Sequence, residues 1–286
     1  MTELWLALRR NRLALAGLAV VALLFVLGIV GPWITPYDPL AQNLARGLEG
    51  PSANHWFGTD SFGRDILSRV LYGARISLLV GVASQAIAFS LGVLLGVVSG
   101  YYGGRIEGLI MRLADVTLAF PTLLLLIAIT AAFQPGLTVV FVAIGVVGWA
   151  GMARLVRSQA LVVRELDFIH AARALGMGDL RLLTRHVLPN CLAPAIIAVT
   201  LGMASAILLE AALSFIGLGA QPPTPSWGSM ISDGRDFLRT APWISVFPRL
   251  AIGFVVLGFN LFGDGLRDAM DPRLRGTARR PMPRPE

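Results

Sequence analysis

The residues able to do chemistry are few, and their placement is restrictive. The histidines are His55, His170 and His186, and no pair has the ligand spacing of a zinc site. None falls within a long apolar run, so a serine nucleophile inside such a run has no base to activate it. All 24 basic residues are arginine, and a nucleotide-binding P-loop needs a lysine behind its glycine-rich turn. ATP-driven work therefore has to be done by another subunit. The one cysteine, Cys191, has no intrachain partner for a disulfide and reads as a free core thiol. This inventory points away from an enzyme and from a metal site.

Composition says what positions these residues. With 55% hydrophobic and 14% charged residues and a mean hydropathy of +0.70, the chain has lipid as its main solvent. A helix crosses a bilayer with roughly 20 mostly apolar residues. Six segments come near that length, about 13–31, 77–99, 113–133, 137–153, 194–216 and 246–266. The expected fold class is an all-α polytopic membrane protein with six transmembrane helices. The first run follows Arg9, Arg10 and Arg12 but lacks a clean cleavage site, and reads as an uncleaved anchor. Seventeen of the 24 arginines fall on one side if both termini are cytoplasmic, which is the orientation the positive-inside rule selects. That arrangement gives a cytoplasmic N-terminus over 1–12, extracytoplasmic loops over 32–76 and 217–245, a cytoplasmic segment over 154–193 and a cytoplasmic tail over 269–286. The pI of about 10.8 is met by anionic lipid at the inner leaflet. No soluble basic domain is present to bind nucleic acid.

Within the spans, Ser84, Ala88, Gly92, Gly96 and Gly100 recur every fourth residue and draw a small-residue ridge for close helix packing. Pro121 interrupts the third span and frees a carbonyl there. Asp115 lies near the inner end of that span and reads as an ion partner of Arg112. Glu210, in the outer half of the fifth span, must face protein or water. It is a candidate either for a structural hydrogen bond or ion pair, or for a place on a translocation path or outer gate. Asp60 or Ser61 can cap a helix in which Asp65 and Arg69 pair at i,i+4 and which lies along the outer membrane face. Trp227 belongs to AQPPTPSWGSMISDGRDF, where proline-set turns precede a short helical pattern, and joins Glu210 as a path or gate candidate.

The segment HAARALGMGDLRLLTRHVLPN, from His170, stands outside the spans. Phe168, Ala172, Leu175, Asp179 and Leu182 follow helical spacing. A helix over about 168–174 is predicted, with Gly176 and Gly178 allowing a turn into a second one. Its low-relief Ala-Ala surface suits another protein's groove. The same spacing also suits a helix lying in the headgroups with its arginines on phosphates.

This stretch resembles the cytoplasmic loop motif of ABC importer permeases, an EAA triplet followed by a spaced Gly and by Ile-x-Leu-Pro. Ala171, Ala172, Gly176, Leu188 and Pro189 match in register, while His170 replaces the Glu and His186 the Ile. HWFGTDSFGRDILSRVLYGARISLLVG from His55, LSFIGLGAQPPTPSWGSMISDGRDFLRTAPW from Leu213 and FNLFGDGLRDAMDPRLR from Phe259 are similar to permeases of the dipeptide/oligopeptide/nickel type. Trp56 and Arg249 depart from the usual Pro and Gly. The N-terminal anchor followed by ITPYDP resembles the second, C-type permease subunit of such systems.

The resemblance runs from about residue 8 to 275 and implies a type I ABC importer permease fold, with its core over 73–268, in a bacterial inner membrane. It implies a B-type permease, two ATPase subunits holding ATP and Mg, and an extracytoplasmic solute-binding protein as partners, and no cofactor on this chain. His170, Ala171, Ala172, Leu175, Gly176, Asp179, Leu188 and Pro189 would then form the ATPase-coupling segment. Di- or oligopeptides are the implied substrates. The alternative class is a stand-alone secondary transporter or channel, which would need an internal repeat or paired intramembrane charges.

Overall fold

The computed structural model describes residues 11–270. Arg9, Arg10 and the segment from 271 onward, expected on the cytoplasmic side, lie outside the described residues. Asn11 opens the first helix: its Oδ1 accepts from the Leu13 and Ala14 amides at 3.1 and 3.2 Å, satisfying donors the helix cannot. Helix α1 covers Arg12–Ile34, α2 Ile66–Tyr102, α3 Gly104–Ala119, α4 Thr122–Ala132 and α5 Leu137–Arg164. Two short helices follow, α6 Asp167–Ala174 and α7 Asp179–Leu182. A π-helical turn, Leu183–Val187, then leads into α8, Leu188–Phe215. Last come α9, Trp227–Asp233, and α10, Trp243–Met270.

Among the described residues, five helices are long and apolar enough to cross a membrane, and six crossings result if the bent pair α3 and α4 counts as one. The all-α class expected of the sequence is what the structure has. The third span departs from expectation because it is not a single helix over 113–133. The axes of α3 and α4 meet at 91°. Proline disfavours the helical conformation for the residue before it, and Phe120 accordingly sits at φ −87° and ψ 139°. Helix α4 has 11 residues, about 16 Å of rise, and cannot span a bilayer core alone.

A second departure concerns residues 55–76. No separate surface helix forms; α2 starts at Ile66 and continues as the second span for 37 residues, about 55 Å. Its cap is Asp65, whose Oδ2 accepts from the Ser68 amide at 2.8 Å while Oδ1 lies 2.9 Å from His55 Nδ1. With both oxygens engaged, Asp65 does not pair with Arg69. Asp60 takes that role: it receives the Arg64 Nε at 2.6 Å and lies 3.7 Å from Arg69 Nε. Arg46 Nη1 lies 3.1 Å from His55 Nε2, so a His55 tautomer protonated on Nδ1 satisfies both neighbours. Asp233 of α9 approaches Arg64 at 3.8 Å. Burial pushes the Asp233 carboxyl up, and Arg69 and Arg64 pull it back.

Small residues set the helix contacts. On α2, a Cβ at Gly92 would lie 2.5 Å from Met152 Cβ, at Gly96 2.6 Å from the Ala153 oxygen, and at Gly100 2.7 Å from Ala160 Cβ. The ridge expected on the second span is thus the face packed on α5. Gly17 of α1 abuts the α10 backbone at Phe262, and Gly258 and Gly265 of α10 abut Val20 and Ala14. Side chains then fill three buried clusters, one around Ile207, Trp227 and Phe259, one around Val156, Ile169 and Leu182, and one around Val80, Leu126 and Ile144.

Gly96→Ala should lower thermal stability in detergent by about 1–3 kcal/mol through overpacking. Gly253→Ala, whose added Cβ meets nothing within 4 Å, should change it little or raise it by up to about 1 kcal/mol. Equal melting behaviour of the two variants would remove the close α2–α5 contact as a determinant of the fold.

Candidate functional site

Two regions stand out from the packed bundle: an open cavity among the spans, and the turn-rich segment beyond them. The cavity, of about 320 Å³, lies among α2, α3, α4, α5 and α8. Its polar lining is neutral: Gln85, Thr117, Thr122 and Ser205, with Gly148 and Gly202 leaving room beside them. Gln85 is held in place by donating to the Gly202 carbonyl at 3.1 Å, an amide fixed across α2 and α8.

Below this neutral region the wall becomes charged. A groove of about 440 Å³ is lined by Glu107, Asp115, Arg154 and Arg157. Arg154 Nη2 reaches Asp115 Oδ1 at 2.5 Å with more than half of each side chain exposed. Arg157 grips Glu107 Oε1 through both Nε, at 2.6 Å, and Nη2. Asp115 is therefore an ion partner, but of Arg154 across the α3–α5 contact and not of its helix neighbour Arg112. Arg154 sits one helical turn past the cavity residue Gly151 on α5, so cavity and groove share one wall. Exposed charges at this position are incompatible with hydrocarbon and must meet water or protein.

Glu210 and Trp227 are elsewhere. Glu210 is fully buried and its Oε1 accepts from Ser214 Oγ at 2.6 Å. Ser214 Oγ in turn accepts from the Ala220 amide at 3.2 Å. Trp227 is 2% exposed, donates from Nε1 to the Val70 carbonyl at 2.9 Å and packs against Gly73. Neither lines the cavity. Glu210 is tied to Ser214 within α8, and Trp227 joins α9 to α2. The true lining residues are short, common polar types in apolar runs, and only their shared location distinguishes them.

The segment outside the spans is built on Tyr101, at the end of α2. Tyr101 donates its hydroxyl proton to Asp179 Oδ1 at 2.6 Å and accepts from Arg173 Nη2 at 3.2 Å. Ile169 and Leu182 are fully buried in the cluster beneath. Between α6 and α7 the chain reverses at Gly176, with φ of +81°, a conformation that suits glycine. The helical spacing from Phe168 to Leu182 does not survive this turn, which is why Leu175 is 88% exposed while Leu182 is buried.

The other residues of the segment divide the same way. His170 and Ala171 are exposed, Ala172 half-buried, and His170 Nε2 is 3.9 Å from Glu165 Oε2. Leu188 is half-buried against the cluster, and Pro189 is exposed in the first turn of α8, where its missing amide proton costs nothing. Tyr101 and Ile169 were not singled out from the sequence. A tyrosine pair ahead of two glycines, YYGG, is the signal that marks the first; Ile169 carries none beyond being apolar.

Comparison with known proteins gives a consistent picture. Residues 92–276 match the family described as "Binding-protein-dependent transport system inner membrane component". Residues 1–51 match the "N-terminal TM domain of oligopeptide transport permease C". The chain is 48% identical over 273 residues to the dipeptide transport system permease protein DppC of Alkalihalophilus pseudofirmus, covering 96% of this chain and 90% of that protein. It is 46% identical over 277 residues to the glutathione transport system permease protein GsiD of Escherichia coli, covering 96% and 91%. A solved inward-facing structure of the MetNI methionine ABC transporter aligns with a TM-score of 0.58 at 17% identity, over 71% of this chain and 97% of that one, a likeness of fold.

Tyr101→Phe should free the 167–182 segment from the end of α2 at a cost of about 1–2 kcal/mol. Amide exchange should then quicken across 167–182 and stay unchanged in α5 and α8. Unaltered exchange in the segment would show that Ile169 and Leu182 alone hold it.

Proposed function

This chain belongs to the family of binding-protein-dependent transport system inner membrane components, and from that membership we propose that it is the C-type permease subunit of an ATP-driven importer of short peptides. It is a pore-forming subunit and not an enzyme. In this reading it works with a B-type permease, two cytoplasmic ATPase subunits that carry ATP and Mg, and an extracytoplasmic solute-binding protein. It sits in a bacterial inner membrane with both termini cytoplasmic, so that most of its arginines face the anionic inner leaflet.

One observation carries the coupling role. Beyond the spans, the 167–182 segment is pinned by Ile169, Leu182 and Tyr101 on one side while Leu175 and Leu180 are 88% and 73% exposed on the other. Large apolar side chains held out at a rigid turn suit the groove of a second protein. A Cβ added at Gly176 meets nothing within 4 Å among the described residues, which leaves room beside it for a groove wall. His170, Ala171, Ala172 and Leu175 form the approach on α6, and Leu188 and Pro189 lead the movement into α8. Asp179 serves by fixing the segment to α2 through Tyr101.

The mechanism is linkage. If ATP closes the ATPase pair, the docked segment moves with it, and the permease changes state only as far as ATP binds one state more tightly than the other. Peptide delivered from outside enters the neutral cavity beside Gln85 and Ser205, and leaves past the groove that Arg154 and Arg157 line. Relatives named for dipeptides and for glutathione match this chain almost equally well, which favours a class of short peptides over any one member.

Leu175→Arg and Gly176→Val should each reduce peptide uptake and the stimulation of ATPase activity by at least about tenfold, the scale expected when a buried apolar anchor is lost from a groove. Membrane levels should be unchanged for Leu175→Arg, whose side chain stands clear of the bundle, whereas Val at the positive φ of Gly176 also strains the turn itself. Normal uptake by both variants would remove the docking role.

A further inference from the structure

The polar side chains that line the neutral cavity are not equally free. Thr117 donates its hydroxyl to the Leu113 carbonyl of its own helix at 2.9 Å. Ser205 of α8 is exposed in the cavity wall and has no hydrogen-bond partner among the described residues. Gln85 is both held and unfinished. Its Nε2 donates to the Gly202 carbonyl at 3.1 Å, and because a carbonyl only accepts, the nitrogen end of the amide is fixed there. That bond uses one of the two amide protons. The other proton and Oε1 have no partner among the described residues.

Three observations separate this arrangement from a bond that only braces two helices. Helices α2 and α8 already meet without it: Gly81 brings the α2 backbone close to Met203 and Ile207, and Val80 shares a buried cluster with Ala206 and Leu213. A side-chain bond between membrane helices adds little to such packing. Next, the sealed and unpartnered polar side-chain atoms among the described residues belong to Ser77, Ser99, His186 and Glu210. Gln85 Oε1 is not one of them and is open to the cavity that Gln85 lines. Last, a Cβ at Gly202 would come within 2.4 Å of Oε1. The glycine therefore makes the space in which the amide lies, against the backbone of α8.

We propose that Gln85 is a specificity-determining residue that reads the backbone of the cargo: its Oε1 accepts from a peptide N–H, and its second amide proton and the Ser205 hydroxyl donate to a peptide C=O. This rests on the reading of the chain as a short-peptide importer subunit, and it names the part of the peptide that this chain contacts. The wall chemistry selects that part. An uncharged donor and acceptor fixed side by side match the N–H and C=O that every residue except proline carries. Ala88, Leu126, Ile144 and Val147 around them offer apolar surface to side chains of any kind. Neutral hydrogen bonds exchanged against water are weak enough to be released. The cavity, about 320 Å³, is within the range of about 300–1,000 Å³ that small-molecule sites occupy.

The test compares initial uptake of labelled alanyl-alanine with that of its ester analogue, alanyl-lactate, by cells holding the complete transporter. In the ester an oxygen replaces the peptide N–H. The binding protein is the same in every strain, so its own preference cancels when the amide-to-ester ratio of a variant is divided by that of the unaltered transporter. Gln85→Met keeps the length of the side chain and removes its hydrogen bonds. It should lower the ratio about fivefold, the scale of one hydrogen bond, by slowing the dipeptide. Gly202→Ala keeps Gln85 but puts a methyl group where Oε1 lies, and should lower the ratio in the same way. It supplies the answer if Gln85→Met does not reach the membrane. An unchanged ratio, with both rates unaltered or both reduced together, would confine Gln85 to bracing α2 on α8; it would overturn the assignment and leave the importer reading standing. Failure of the unaltered transporter to take up either compound would overturn both.

Discussion

Close approach of α2 to α5 is the contact on which the rest of the structure depends. In a bilayer, burying one apolar helix against another gains little over leaving both in lipid, so association rests on tight van der Waals packing and on polar contacts. Gly92, Gly96 and Gly100 supply that packing by presenting no side chain of α2, so that Met152, Ala153 and Ala160 of α5 come up against its backbone. Once fixed, α2 is a rod clamped along much of its length. Its two ends organise everything outside the spans: Asp65 and His55 at one, and Tyr101 at the other.

Charge follows the same geometry. At the start of α2, Asp60, Arg64 and Arg69 are nearly fully buried and balance one another, with Asp233 brought in from α9. A buried ionic group of this kind adds little net stability over an apolar core, yet removing one member leaves another uncompensated, which is costly. It therefore fixes the register of the 35–65 segment against α2 and α9. Trp243 completes that tie by donating to the Thr59 carbonyl at 3.1 Å. Of the pairs between α3 and α5, Asp115–Arg154 is exposed and less costly to break, while Glu107–Arg157 is half-buried, and both lie where the structure is open.

The sequence made the spans, the glycine ridge and the turn at Gly176 legible because each is a local pattern with a single physical cause. Apolar length, small-residue period and a positive φ do not require knowledge of neighbours. Partnerships were less accessible. An i,i+4 pair of Asp65 with Arg69 holds only if the helix already includes Asp65 as an interior residue, and the helix begins one residue later. Asp115 lies near Arg112 in sequence, but Arg154 arrives from another helix. Pro121 announced an interruption without its size, since the bend depends on what packs on either side. Glu210 attracted notice as a lone acid in an apolar run, and a serine one turn away on the same helix donates to one of its oxygens. The cavity went unseen because threonine, glutamine, serine and glycine become a site only when five helices bring them together.

The neutral character of the cavity has a mechanistic consequence. A carrier that bound peptide termini with its own fixed charges at mid-membrane would hold its cargo, and a pathway must bind weakly enough to release what it admits. On this chain's side the polar side chains of the cavity are amide and hydroxyl groups alone, set among apolar ones. These can replace water around a peptide without favouring one side chain, and the first fixed charges appear where the groove opens between α3 and α5. A wall of this kind cannot be the main source of selectivity. In a system that takes its substrate from a separate binding protein, discrimination happens before entry, and the permease conducts what it is given.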